Sequence, residues 1–241
     1  MKTPKDGDEG RGMRDEIDES SSSLIPHPSS LVPHLAEVIA ADSSTFEAEC
    51  RQLYGAPAFG SFVRVDGAER SVFGVVAHIA TAAIDPGRHT QALHLSPERL
   101  IERMPQIELV LRTCFAALVV GGEEGGEIRP YLPPYPPEIH RFVHACTPAE
   151  VESLTREPDF LRILAAAPHA PVEDLLAGAV LHAAAARGSG APANRFMVEC
   201  GRSIATLFRR DPDRLQSIMH RIQAARRATA AAPWERPIDL V

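Results

Sequence analysis

Hydrophobic and polar positions change texture along this chain. From Thr45, FEAECRQL reads as a strand that ends at the turn YGAPAFG. FVRV (62–65) begins a second extended run in which Arg64 and Asp66 alternate outward. Asp66-Gly67 opens DGAER, a common hairpin turn signal. VFGVVAHIAT follows, rich in β-branched residues, and Gly74 inside it marks a bulge or a barrel bend. A glycine stands near the start of each run, Gly60 and Gly74. Short strands, turns and interior glycines are what a small closed barrel requires.

DPGRH (85–89) reads as a loop. Ser96 caps a helix with Pro97 at its first position, and Pro105 interrupts it, so pieces are expected over 97–103 and 105–112. CFAALVVGG returns to strand character, GGEEGGE turns into IRPYL, and LPPYPPEI (132–139) is a proline-stiffened connector between two domains. From Thr147 the pattern is helical. Thr147-Pro148-Ala149-Glu150 is a capping box, and Pro158, Pro171, Pro192 and Pro212 punctuate the helices that follow. On the last one Leu215, Ile218, Met219, Ile222 and Ala225 share a face, with arginines on the others. Residues 1–30 are polar, acidic and serine-rich and are expected to be disordered. LVPHLAEVIAA (31–41) reads either as a short helix or as a docking segment. The division is a tail over 1–44, a barrel domain with inserted helices over 45–140, a helical domain over 141–228 and a loose tail over 229–241. The fold class is α+β, a small N-terminal β-barrel followed by an all-α C-terminal domain, with no internal repeat.

Composition narrows the function classes. The 241 residues carry a net charge of -7 and are 44% hydrophobic, values of a soluble globular protein. No apolar run reaches the roughly 18–20 residues that span a bilayer. The N-terminus has no apolar segment of a signal peptide, which makes the cytoplasm the expected compartment. The charge is uneven. Arg195, Arg202, Arg209, Arg210, Arg214, Arg221, Arg226 and Arg227 face only Glu199, Asp211 and Asp213 in the same stretch, the one electrostatic pointer to a partner.

Candidate chemistry is sparse. Cys50, Cys114, Cys146 and Cys200 have neither metal-knuckle nor redox spacing and read as buried small hydrophobes. Glu123 and Glu124 within the glycine run 121–126 would repel phosphate, so that run reads as a hairpin turn. His140 and His144, four apart, could share a helix face as metal ligands do, but no third ligand has matching spacing. His78 reads as a hydrogen-bonded barrel histidine. Ser61 lacks the glycine pattern of a nucleophile elbow. Cys200, beside Glu199 and near Arg202, reads as a helix-face cysteine rather than a low-pKa thiol. LPPYPP can serve as a polyproline ligand, but its composition favours a stiff linker.

FGSFVRV…VFGVVAHIAT, then VLRTCFAALVVGG, then IRPYLPPYPPEIH resembles the HAS-barrel family, found in HerA-type DNA-translocating ATPases and in the N-terminal crown of ATP synthase subunits. The resemblance covers about residues 45–140 and rests on the order of the glycines, the VVG strand end and the proline-rich exit. In HerA-type proteins the barrel leads into an ATPase with a phosphate-binding loop. Here it leads into helices, and GxxxxGK[ST] is absent, so ATPase activity does not carry over. Bacterial proteins with a stand-alone barrel of this kind exist. The resemblance implies a non-catalytic adaptor without a cofactor. Its barrel would mediate oligomerisation or docking onto a ring ATPase of HerA type, through Phe59, Phe62, Val63, Val65, Phe73 and Val75, with strand edges over 59–65 and 72–79. Two alternatives stand beside this: a nucleic-acid-binding accessory factor using Arg209, Arg210, Arg226 and Arg227, and an enzyme with an unrecognised site.

Overall fold

The computed structural model describes residues 34–67, 70–85, 87, 92–168 and 170–231. Its strands are Ala36–Ala41 (β1), Thr45–Cys50 (β2), Phe62–Val65 (β3), Arg70–Ala83 (β4), Leu111–Glu124 (β5), Glu127–Arg129 (β6) and Phe142–Ala145 (β7). Six of them close into a ring in the order β1-β2-β5-β4-β3-β7, with every neighbouring pair antiparallel. β6 adds to β5 outside that ring.

Alternation fills the ring. Ala36, Val38, Phe46, Ala48, Val63, Val65, Val72, Val76, Phe115, Ala117, Val119 and Val143 form one buried cluster. The rings of Phe46 and Phe115 meet edge to face at 6.4 Å, a favoured aromatic geometry. Gly74 makes room for them: a Cβ there would lie 2.7 Å from Phe46 Cε1. The β4–β5 register shifts between Phe73 and Gly74 and again between Val76 and His78, so Gly74 sits at the expected bulge.

The outward residues of the same strands are also apolar. Phe62, Phe73, Val75, Ala77, Leu118 and Val120 share a second core with the C-terminal helices. A strand hydrophobic on both faces must be covered on both, and Pro148–Leu154 (α2), Phe160–Ala165 (α3), Val172–Ala186 (α4), Ala191–Leu207 (α5) and Pro212–Ala231 (α6) supply the cover. Phe160 packs edge to face on Phe62 at 5.9 Å. On α4, Leu175, Leu176, Ala179, Val180 and Ala183 are buried. Small residues bring its backbone close to the barrel: a Cβ on Gly60, whose φ is +79, would lie 2.9 Å from the Gly178 backbone. The Thr147–Glu150 capping box opens α2 as expected. At the other end of the helical layer Arg187 donates to Thr155 O at 2.8 Å and to Ala183 O at 2.7 Å and covers the Phe196 ring at 3.7 Å.

Several boundaries move. Ala36–Ala41, expected within the tail as a short helix or docking segment, is a barrel strand paired with both β2 and β7. Pro97–Arg103 (α1) forms as expected with Ser96 as its cap, whereas the second piece is a 3-10 turn ending at Leu109, because Leu111 already belongs to β5. The prolines of 132–139 lie inside the barrel domain, between β6 and β7, so they do not link two domains. β7 itself lies beyond the expected boundary at 140. α6 continues to Ala231. The expected disorder over 1–30, most of DPGRH and residues 232–241 lie outside the described residues.

Candidate functional site

β4 and β5 pair along their whole lengths, from Arg70↔Glu124 to Ala83↔Leu111. β3 accompanies β4 only from Val72 to Val75, and two bonds finish that seam: Gly60 N–H donates to Val76 O at 2.8 Å, and Val76 N–H to Ser61 O at 3.0 Å. Beyond this point, among the described residues, no strand lies beside His78–Ala83. The two strands run on as a ribbon whose β4 edge is open from His78, while β2 follows β5 only as far as Cys114. Ile84 N–H donates to Val110 O at 3.0 Å, toward β5. Antiparallel residues alternate in direction, so Ala82, Ala80 and His78 also turn their backbone groups to β5. Ile79, Thr81 and Ala83 turn theirs to the open edge.

From His78 to Ala82 the side chains are exposed and include no lysine, arginine, aspartate or glutamate. Natural open edges are normally guarded by lysines, prolines or bulges. His78–Ala83 has none of the first two, and its bulge lies before the open stretch. Thr81 Oγ1 and Thr113 Oγ1 lie 2.8 Å apart across the ribbon, and Tyr54 N–H donates to Thr113 Oγ1 at 2.9 Å. Apolar side chains gather at the same end: Ile84 is 44% exposed and Leu109 77%, and both line one groove. Leu53, Ile84, Leu109 and Leu111 help line a groove of about 580 Å³ with Glu49 and Arg112 at its margin.

The barrel residues singled out from the sequence lie elsewhere. Phe62, Phe73 and Val75 are buried beneath the helices, and Val63 and Val65 point into the ring. Phe59 is partly buried against the helical core. The first five therefore present no surface to a partner, because both faces of β3 and of the first half of β4 are already covered.

The arginines separate into two sets. Arg214 pairs with Glu173 at 2.5 Å and Arg221 with Asp174 at 2.6 Å, both tying α6 to α4. Arg195, Arg202, Arg209, Arg210, Arg226 and Arg227 are exposed. Among the described residues, none of these six is in an ion pair. Arg226 donates to Asn194 Oδ1 at 2.9 Å. That bond sets the C-terminal part of α6 beside the N-terminal part of α5, so sequence-distant arginines share one end of the helix pair.

A polar cluster joins the barrel to α2. Arg64 Nε donates to Asp66 at 2.7 Å, another Arg64 nitrogen to Glu150, and His144 Nε2 lies 3.3 Å from Asp66. His144 is on β7 and His140 in the turn before it with φ +69, so the two share no helix face. Burial lowers the His144 pKa, as do Arg64 and His34, while Asp66 and Glu150 oppose the shift. Among the described residues its buried Nδ1 has no hydrogen-bond partner. Asp66 also borders a cleft of about 460 Å³ with Arg70, Tyr135, Glu138 and Arg141. These four are already engaged in two pairs: Arg70 stands over Tyr135 at 4.8 Å, and Arg141 Nε donates to Glu138 at 2.6 Å. Burial pushes the Cys50 and Cys200 thiols up to about 12 and also raises Cys114 and Cys146. Such thiols are inert at neutral pH. Among the described residues no group of three His, Cys, Asp or Glu side chains could hold a metal, and no helix is long and apolar enough to cross a membrane.

No model of a known protein family and no curated protein matches the chain.

Proposed function

We propose that this is a non-catalytic assembly protein whose barrel joins another polypeptide by strand addition at the open edge of β4. One observation carries the reading: among the described residues, six consecutive positions, His78–Ala83, keep one side of a β-ladder unpaired and hold no lysine, arginine, aspartate or glutamate. Backbone N–H and C=O groups on such an edge supply affinity for an extended segment, and neighbouring apolar side chains supply selectivity. Ile84 and Leu109 stand at the same end for the second task. The reading agrees with the HAS-barrel resemblance, in which the barrel is the docking end. The partner is a second copy of the chain or a ring ATPase of HerA type, met in the cytoplasm.

Light scattering after size exclusion, across a range of concentrations, tests the first partner. Co-purification with a HerA-type ATPase tests the second. Ala80→Lys with Ala82→Lys places two charges beside the edge and is expected to abolish either association. A strict monomer that captures no ATPase, or an association indifferent to the two lysines, overturns the proposal.

A further inference from the structure

We propose that the outer face of α5 and α6 binds the phosphate backbone of duplex DNA, independently of the barrel edge. The face is built by selective neutralisation. Arg214 and Arg221 are drawn onto Glu173 and Asp174 of α4, whereas Arg195, Arg202, Arg226 and Arg227 keep exposed guanidiniums outside any ion pair among the described residues. The Arg226–Asn194 bond gathers Arg226 and Arg227 near Arg195. Arg195 and Arg202 stand seven residues apart on α5, which returns them to nearly the same side at an axial spacing of about 10 Å. Arg209, in the turn after α5, is also exposed, and the spacing of about 10 Å on α5 is close to three base pairs of duplex at about 3.4 Å each.

The residue types select the ligand. Guanidinium groups match phosphate oxygens with paired donors. Asn194, Thr206 and Gln223 are exposed nearby, and such side chains commonly contact the DNA backbone. A protein partner would call for aromatic or large apolar anchors, and Val198 alone among the described residues of α5 and α6 is an exposed large hydrophobe. Unpaired nucleic acid would call for an aromatic platform on which bases stack, and Phe196 and Phe208 are both buried. What remains is a backbone-reading surface indifferent to sequence. Glu199 lies on the same side of α5 between Arg195 and Arg202, and Asp211 and Asp213 lie at the α5–α6 turn. They weaken the field, so binding is of the non-specific, salt-sensitive class.

Fluorescence anisotropy of a labelled duplex, titrated with the full chain, tests this. Binding at 50 mM salt should weaken roughly a hundredfold by 200 mM, the slope for about four phosphates. Combined Arg195→Gln, Arg202→Gln, Arg226→Gln and Arg227→Gln should lower low-salt affinity by at least about tenfold and flatten that slope. Arg99→Gln with Arg103→Gln, on α1, changes charge away from the face and should leave both within about twofold. Should the combined variant melt early, Arg202→Gln and Arg227→Gln singly are expected to reduce the slope by about one each. No binding at 50 mM salt, equal loss from the α1 pair, or no change in slope overturns the assignment. So does tighter binding of a single strand of equal length, or competition by polyglutamate as effective as unlabelled duplex, which would point to an acidic protein.

Discussion

Between Arg70 and Val76, β4 has β5 along one edge, β3 along most of the other, the ring core beneath and helices above. From His78 to Ala83, among the described residues, β5 is its one strand neighbour. The two halves belong to one continuous strand, yet their side chains differ accordingly. The first half carries Val72, Phe73, Val75 and Val76, large residues on both faces. The second carries alanines, a threonine, one histidine and one isoleucine. Large side chains mark where packing holds the strand. Small ones leave the backbone itself as the most accessible feature, and an accessible backbone edge is a recognition element.

Disrupting the covered half should have the largest effect. Phe160→Ala removes a fully buried ring set against Phe62. It is expected to destabilise by about 3–5 kcal/mol. Because the helical core includes residues of β3, β4 and β5, urea unfolding followed by near-UV and far-UV signals should still show one coincident transition. Two separated transitions would mean that barrel and helices are energetically independent. Next comes the backbone contact between the layers. Gly60→Ala meets both a positive φ and the Gly178 backbone. It should lose about 2 kcal/mol by denaturant titration, and a neutral result would mean that α4 can shift away from the barrel without penalty.

A pH effect should follow at the β7–α2 junction. The folded pKa of His144 lies below the ordinary 6.5, so on acidification the unfolded chain takes up its proton first. Stability present above that value should erode as the pH falls through and below it, and His144→Gln should flatten the slope of unfolding free energy against pH in that window. An unchanged slope would assign the acid sensitivity to other groups. The smallest effect on stability belongs to the ribbon. Ala80→Lys and Ala82→Lys fall on exposed positions and should stay within about 0.5 kcal/mol of the parent chain, although association is lost. A large destabilisation there would erase the contrast between the two halves.

Local chemistry made part of this legible in the sequence. The capping box at Thr147, Ser96 ahead of Pro97, the glycine turn at 125–126 and the bulge at Gly74 all act over a few residues, and each is found where its residues placed it. β1 and β7 were not legible as strands. AEVIAA is a short apolar run that suits helix and strand alike, and FVHA is brief and follows a proline series. Their strand character comes from pairing with one another and with β2 and β3. The docking residues were misplaced for a related reason. Apolar character in FVRV and VFGVV marked residues that contact something, and the contact is with the chain's own helices. The consecutive apolar residues Val72–Phe73 and Val75–Val76 are a signature of burial on both faces. An open edge depends on where β3 stops, which no local pattern encodes. The arginine face was visible as composition, but the division between Arg214 and Arg221 and the rest depends on the placement of Glu173 and Asp174 on α4.

The pairing of β1 with β7 has a further consequence during synthesis. Ala36 lies opposite Val143, so a chain emerging from the ribosome carries β1 to β5 for most of their translation before the strand that shuts the ring exists. Contacts this distant in sequence form slowly. Ring closure is followed at once in the chain by α2, which begins at Pro148, and then by Phe160. Until the helices from α2 onward appear, Phe62, Phe73 and Val75 stand uncovered on a newly closed ring. A nascent chain stalled between Ala145 and Val172, where α4 begins, should therefore still expose this apolar surface and bind a chaperone.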